Sequence, residues 1–252
     1  MGLGIAFEGA ASRAAFHIGV AEGLRDLGIR IDAAGGASSG AMVAAALATG
    51  RLDRLRDAWR ALAGQSFFDR GRILRRRWPI RANELVGGVV REVLGDLSMG
   101  DADTPLVIVV TQLSRRGWQE RAITRSDDVP MADAVMASCF FPGLYHRPTF
   151  LDGRPTVDGA WRQRVPVDAV GALGADRVLA VITKPDGRLR AGLRGRRDAR
   201  PTTPHWIVAP DEDLPIRAWD LDRTRADASI GAGIAAAEHL ARTHFGRGTT
   251  GT

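Results

Sequence analysis

Two rhythms alternate along this chain. Short, unbroken apolar runs stand at 3–7 (LGIAF), 106–110 (LVIVV), 178–182 (VLAVI) and 206–209 (WIVA). Each has strand length and is bounded by Gly, Pro, polar or charged residues, as strands buried on both faces of a sheet are. Between them the spacing turns helical. In 13–27, Phe16, Val20, Leu24 and Leu27 share one face and Gly28 supplies the stop. Residues 52–62 and 82–94 read as amphipathic helices, 132–138 as a short helix, and 226–242 as a closing one. Residues 39–49 carry so many small side chains that they read as a buried helix. A second strand is predicted at 29–34 and an edge strand at 118–124. This alternation predicts an α/β fold: a mainly parallel central sheet covered by helices on both faces. No repeat and no linker interrupts it, so 1–245 reads as one domain and 246–252 as a frayed, disordered tail.

Composition narrows the class. The 252 residues are 45% hydrophobic and 25% charged, the balance of an ordinary globular protein. Cys139 is the one cysteine, which excludes an intrachain disulfide. No stretch approaches the roughly 18 apolar residues of a membrane span. The first residues lack the basic n-region of a Sec signal, and Gly2 lacks the serine or threonine of a myristoylation signal. The expected place is the cytoplasm, with any membrane met peripherally. Net charge is +6, almost all from arginine; Lys184 is the one lysine. Arginines concentrate at 70–77 (RGRILRRR) and at 188–200, which holds six of them. Nucleic acid, anionic lipid and plain solvation each fit such runs. Nucleic acid fits the second run least, since no aromatics interleave with its charges and no base-reading motif accompanies them.

Candidate chemistry starts at 36–40, GASSG. A G-x-S-x-G pentapeptide between a predicted strand and a predicted helix pushes the serine hydroxyl out at the carboxyl end of a sheet. Gly36 and Gly40 would leave room for neighbouring backbone, and the free amides of the following helix favour negative charge beside Ser38. Alone, the pentapeptide is equally a tight turn in a chain with 30 glycines. The first strand ends in Gly9-Ala10-Ala11-Ser12-Arg13, which also opens a helix. Parallel neighbours bring their carboxyl ends together, so amides of this loop could face Ser38. A phosphate-binding turn is the rival, weakened by the absence of G-x-G-x-x-G and G-K-[ST].

Taken in order, these stretches resemble the patatin-like phospholipases. GAASRAAFHIGV (9–20) is similar to that family's glycine-rich loop, basic residue and Ile-Gly-Val helix, and GASSGA (36–41) to its nucleophile elbow. ADAVMASCFFPGLY (132–145) and VDGAWRQRVPVDAVGALGADRVLAV (157–181) resemble its Ala-Ser-x-x-x-Pro-Gly and Asp-Gly segments. The resemblance implies a three-layer α/β/α fold and a lipid acyl hydrolase that cleaves acyl esters through an acyl-enzyme. It makes Ser38 the nucleophile and Asp158 the general base, with no catalytic histidine. Asp152-Gly153 is set aside, because Asp158 is the aspartate correctly spaced from Val165-Pro166-Val167. Gly9, Ala10 and Ala11 become the oxyanion hole, with Arg13 holding the loop. Four positions depart from the family pattern. Ala10 and Ala11 stand where glycine is usual, Ala14 replaces the glycine after the basic residue, and Arg164 replaces an asparagine.

No metal or organic cofactor is implied. The implied partner is an acyl-ester lipid, met through peripheral contact with an anionic membrane for which the 188–200 run is the candidate. Phe140, Phe141, Leu144 and Tyr145 stand near the site, as an acyl channel, a membrane contact or core packing. Two alternatives stay open. One is an α/β-hydrolase triad with His205, His239 or His244 as its histidine; the other is a non-catalytic lipid- or protein-binding descendant. The sequence says nothing of oligomeric state.

Overall fold

The structure, a computed structural model, describes residues 2–192 and 198–246. The apolar runs pair with one another as their pattern demands. β1 (Leu3–Phe7) lies between β2 (Ala33–Ala37) and β7 (Arg177–Val181), parallel to both; β7 pairs with β8 (His205–Val208) and β2 with β3 (Leu106–Ser114), again in parallel. The other pairings are antiparallel. β3 meets β4 (Gly117–Ile123) and β6 (Arg154–Val157), and β6 closes a hairpin with β5 (Thr149–Leu151). The result is one mixed eight-stranded sheet with a parallel centre.

Helices cover both faces unequally. One face packs on α1 (Ala14–Asp26), α2 (Ser39–Ala48), α3 (Leu52–Ala61), α5 (Ala82–Leu94), α6 (Met131–Cys139) and α8 (Arg223–His244), around Ile5, Phe7, Ile108 and Leu179. The short α4 (Arg70–Leu74) stands outside that core; none of its residues is buried. The other face buries Ala6, Val107, Val109 and Val178 under the five residues of α7 (Val167–Gly171) and the segments around Val165 and Leu189. Among the described residues, no helix is long and apolar enough to cross a membrane.

One expected strand is displaced. The apolar residues at 29–34 pointed to a strand there, yet β2 begins at Ala33 and runs AAGGA. Crowding explains its composition. A Cβ at Gly35 would lie 2.6 Å from both Val107 Cγ1 and Val170 Cγ2. Ile29 and Ile31 are instead partly buried outside any strand and pack on the larger core.

The pairing along β3 positions the site. Ile108 and Val109 pair with β4, and both also pair with β2; Thr111 and Gln112 pair with β4 and also with β6. A strand offers one partner on each edge, so β2 and β6 share the same edge of β3. They run toward each other and stop at Ala37, opposite Val109, and at Val157, opposite Thr111. The next residue of each strand is Ser38 and Asp158.

Candidate active site

That head-on approach places Ser38 Oγ 2.6 Å from Asp158 Oδ2, with the hydroxyl donating to the carboxylate. Ser38 has φ 54° and ψ −130°, a conformation that non-glycine residues rarely adopt and that is characteristic of strained functional turns. Its neighbours must be glycine. A Cβ at Gly36 would come within 2.3 Å of the Gly40 carbonyl, and one at Gly40 within 2.4 Å of Phe7 O. The strain is held partly by a residue to which the sequence reading gave no role. Ser138, on α6, accepts from the Ser38 amide at 2.8 Å and donates to Val109 O at 2.7 Å. It stands in the quoted ADAVMASCFFPGLY stretch, but its hydrogen bonds depend on where α6 docks. Ser138→Ala would leave a buried amide and a strand carbonyl without their partner. The expected loss is about 1–3 kcal/mol of stability, read by urea unfolding, together with a lower kcat.

Asp158 is 5% exposed. Its Oδ1 accepts from the Ala160 amide at 2.8 Å, which fixes the carboxylate plane toward Ser38. Burial pushes its pKa up to about 7, against the opposing pull of the Ser38 hydroxyl, the Ala160 amide and the Arg164 charge. A carboxyl group so placed is a far stronger base than an exposed aspartate. Asp152 and Gly153, the other Asp-Gly pair, form the turn of the β5–β6 hairpin, both with positive φ. Asp152 is ion-paired to Arg121 at 2.7 Å.

The loop after β1 corrects part of the expectation. Gly9 was assigned an oxyanion-hole amide, but that amide donates to the Arg164 carbonyl at 3.0 Å. Gly9 serves by lacking a side chain: a Cβ there would stand 2.6 Å from Ala160 Cβ and 3.2 Å from Ser38 Cβ. The Ala10 amide donates to Ser39 Oγ at 3.2 Å, a long bond. The Ala11 amide, on a residue held at φ 51°, has no acceptor among the described residues. Arg13 and Arg164 both border the cavity at Ser38. Arg164 stands 2.8 Å from Glu8, a buried carboxylate that also accepts from the Thr183 amide and hydroxyl at 2.7 Å each. Burial, opposed by Glu8, lowers the pKa of Arg13.

Beyond this polar corner the cavity is apolar and encloses about 270 Å³. Met42, Trp59, Leu62, Val86 and Val89 line it, with Phe67 and Trp219 at one side. Of the four residues expected near the site, Phe141 and Tyr145 line the cavity, while Phe140 and Leu144 belong to the core. Cys139 and Tyr145 also border it; burial and the neighbouring Asp158 charge raise both pKa values well above their usual range, so both stay neutral. None of the five histidines lines the cavity. His205 bonds to the Thr203 carbonyl through Nδ1, His244 stacks on Trp206, and His239 lies within α8. Among the described residues no cluster of side chains suits a metal ion.

In the 188–200 run, Arg188 pairs with Asp198 at 3.0 Å and Arg190 with Asp186 at 2.5 Å. Arg194, Arg196 and Arg197 lie outside the described residues, as do residues 247–252 of the expected tail.

Comparison with known proteins gives three findings. A family model described as patatin-like phospholipase matches residues 5–170. Uncharacterised NTE family proteins of Mycobacterium tuberculosis and Mycobacterium bovis are each 29% identical over 202 residues, covering 76% of this chain and 50% of the relative. The chain thus spans about half the length of the curated relatives it matches. Among solved structures, VipD from Legionella pneumophila has a TM-score of 0.56 at 11% identity, over 96% of this chain and 67% of that one. Human GIVD cytosolic phospholipase A2 in complex with methyl gamma-linolenyl fluorophosphonate has a TM-score of 0.51 at 12% identity, over 95% and 57%. At such identities the two structures speak for a common fold alone.

Proposed function

This chain belongs to the patatin-like phospholipase family, and from that premise we propose that residues 1–245 act as one catalytic domain that hydrolyses acyl esters of lipids through a Ser38–Asp158 dyad. The observation that carries the reading is the 2.6 Å hydrogen bond between a strained serine and a buried, basic carboxylate at the mouth of an apolar cavity. In the proposed cycle the acyl chain lies among Met42, Trp59 and Val89. Ser38 Oγ attacks the ester carbonyl as Asp158 Oδ2 takes the hydroxyl proton. The oxyanion is met by the Ala11 amide and by the Ala10 amide, which exchanges its long bond to Ser39 for the stronger charge. Arg13 and Arg164 add positive potential. Asp158 then returns the proton to the leaving alkoxide, and water repeats the sequence on the acyl-enzyme. The histidine-triad reading loses support because none of His205, His239 and His244 borders the cavity.

The test is fatty-acid release by purified protein from a panel of phospholipids, lysophospholipids, neutral glycerides and short-chain soluble esters. The reading expects turnover of at least one class, with no added metal. Absence of turnover on every member, including the soluble esters, would leave the non-catalytic descendant as the better reading.

A further inference from the structure

The cavity opens beside a lobe that the catalytic reading does not use. Residues 67–81 leave the core at Phe67 and return at Arg81, whose amide donates to Phe67 O at 2.8 Å. A bridge between Phe68 and Ile80 and a bond from the Asp69 amide to Pro79 O, 2.9 Å, hold its neck. α4 forms its far part, capped by Asp69, whose side chain accepts from the Gly71 amide at 2.9 Å. The base of the lobe is cavity wall: Phe67 lines it and meets Trp219, a second lining residue, edge to face at 5.7 Å.

The surface of this lobe is apolar and basic at once. Leu74 is 89% exposed and Ile73 53%; Phe68 and Trp78 are also exposed, and Trp219 is 53% exposed at the cavity side. These are five of the nine large apolar side chains most exposed among the described residues. Between Asp69 and Trp78 the chain carries five arginines and one aspartate. Arg72 pairs with Glu84 at 2.8 Å. Arg70, Arg75, Arg76 and Arg77 are exposed and form no ion pair among the described residues. Exposed bulky side chains set among unneutralised guanidiniums match a lipid interface, where the apolar groups enter the acyl boundary and the cations meet anionic head groups.

We propose that the 67–81 lobe docks this protein on anionic lipid surfaces, with Ile73, Leu74 and Trp78 entering the interface and Arg70, Arg75, Arg76 and Arg77 on the head groups. The occupant follows from charge and from continuity. The patch adjoins the Phe67–Trp219 side of the acyl cavity, so a docked lipid lies beside the cavity's apolar wall. In the 188–200 run, Arg188 and Arg190 are already paired with Asp198 and Asp186, while Arg194, Arg196 and Arg197 lie outside the described residues. The proposal rests on the lipid-hydrolase reading for the use made of the docked lipid, whereas docking is measured without turnover.

The experiment is sedimentation of the intact chain with vesicles of phosphatidylcholine alone and with one-third phosphatidylglycerol. Three variants are compared: Ile73→Ser with Leu74→Ser, the Arg70, Arg75, Arg76 and Arg77→Gln quadruple, and Leu74→Asp alone, which at so exposed a position leaves folding intact. The parent should bind the anionic vesicles at least about tenfold more tightly than the neutral ones, and each variant should lose about tenfold or more of that affinity. Added salt should weaken parent binding and leave the quadruple variant nearly unmoved. Hydrolysis of a soluble short-chain ester should stay within about twofold of the parent, as expected for surface substitutions away from the site. Variants that bind as the parent does, or a parent indifferent to lipid charge, overturn the proposal. So does a parent that ignores vesicles but self-associates through a contact the variants abolish, which would make a second copy the occupant. If soluble-ester turnover is absent in every protein while vesicle binding still depends on the lobe, the docking surface stands and the hydrolase reading falls.

Discussion

Ser38→Ala is expected to abolish ester hydrolysis while leaving the protein folded. Loss of an activated nucleophile costs on the order of 10⁴–10⁶ in rate, the largest single effect expected for this chain. The fold should survive because the strain at Ser38 is a backbone property, and alanine keeps the Cβ around which Gly9 is shaped. The amide bond to Ser138 and the close approach of Gly40 to the end of β1 are untouched. The interactions removed are the hydroxyl's bond to Asp158 and its contact with the Cys139 thiol. Melting temperature should therefore stay within a few degrees of the parent, so lost activity is separable from unfolding. Retained hydrolysis in this variant would transfer the nucleophile elsewhere, with the adjacent Ser39 first to be tested.

Asp158→Asn should be nearly as damaging and should carry a signature in pH. The base form of Asp158 is the active form, and its pKa lies at about 7. In the parent, kcat/KM on a soluble ester should rise with pH and reach half its plateau near that value. In the variant the residual rate should lose that step. Stability should move the opposite way. The folded pKa lies above the unfolded value of roughly 3.9, so the native state binds the proton more tightly between the two. The associated stability is present below about pH 4 and is lost as pH rises through about 7. Asparagine has no charge to desolvate, so the variant should be more stable than the parent above pH 7, by about 1–3 kcal/mol, and its advantage should shrink as pH falls. Urea unfolding at pH 5 and pH 8.5 checks the sign. A variant less stable than the parent at pH 8.5 would mean that burial of Asp158 is better compensated than the hydrogen bonds here indicate.

The sequence disclosed the parts of this fold that rest on side-chain volume. β1, β7 and the 106–110 part of β3 are unbroken apolar runs because both faces of the sheet are covered there, whereas Ile207 of the edge strand β8 is 40% exposed. β2 escaped the same reading because its neighbours leave no volume to fill: Val107 and Val170 press on Gly35 from either side. The β5–β6 hairpin and α7 were missed for another reason, since three to five residues are too few to show a period. At the site, Ser38 stood out as a G-x-S-x-G serine between a strand and a helix, and the resemblance of the ordered motifs pointed to it and to Asp158 together. The direction of a backbone amide leaves no such trace. Gly9 and Ala10 spend theirs on Arg164 O and Ser39 Oγ, and only the folded chain reveals it. Ser138 was hidden for the same reason: its two bonds join α6 to β3 and to the elbow across 29 and 100 residues of sequence.

The central claim is that Ser38 is a nucleophile activated directly by Asp158. The most direct measurement is covalent labelling by a fluorophosphonate, followed by mass mapping of the modified peptide. The parent should take up one equivalent, on Ser38. Ser38→Ala should take up none, and Asp158→Asn should label at least about 10²-fold more slowly, while single alanine changes at His205, His239 and His244 label at the parental rate. Label on another residue, undiminished labelling of Ser38→Ala, or a histidine change as damaging as Asp158→Asn in a folded protein would contradict it.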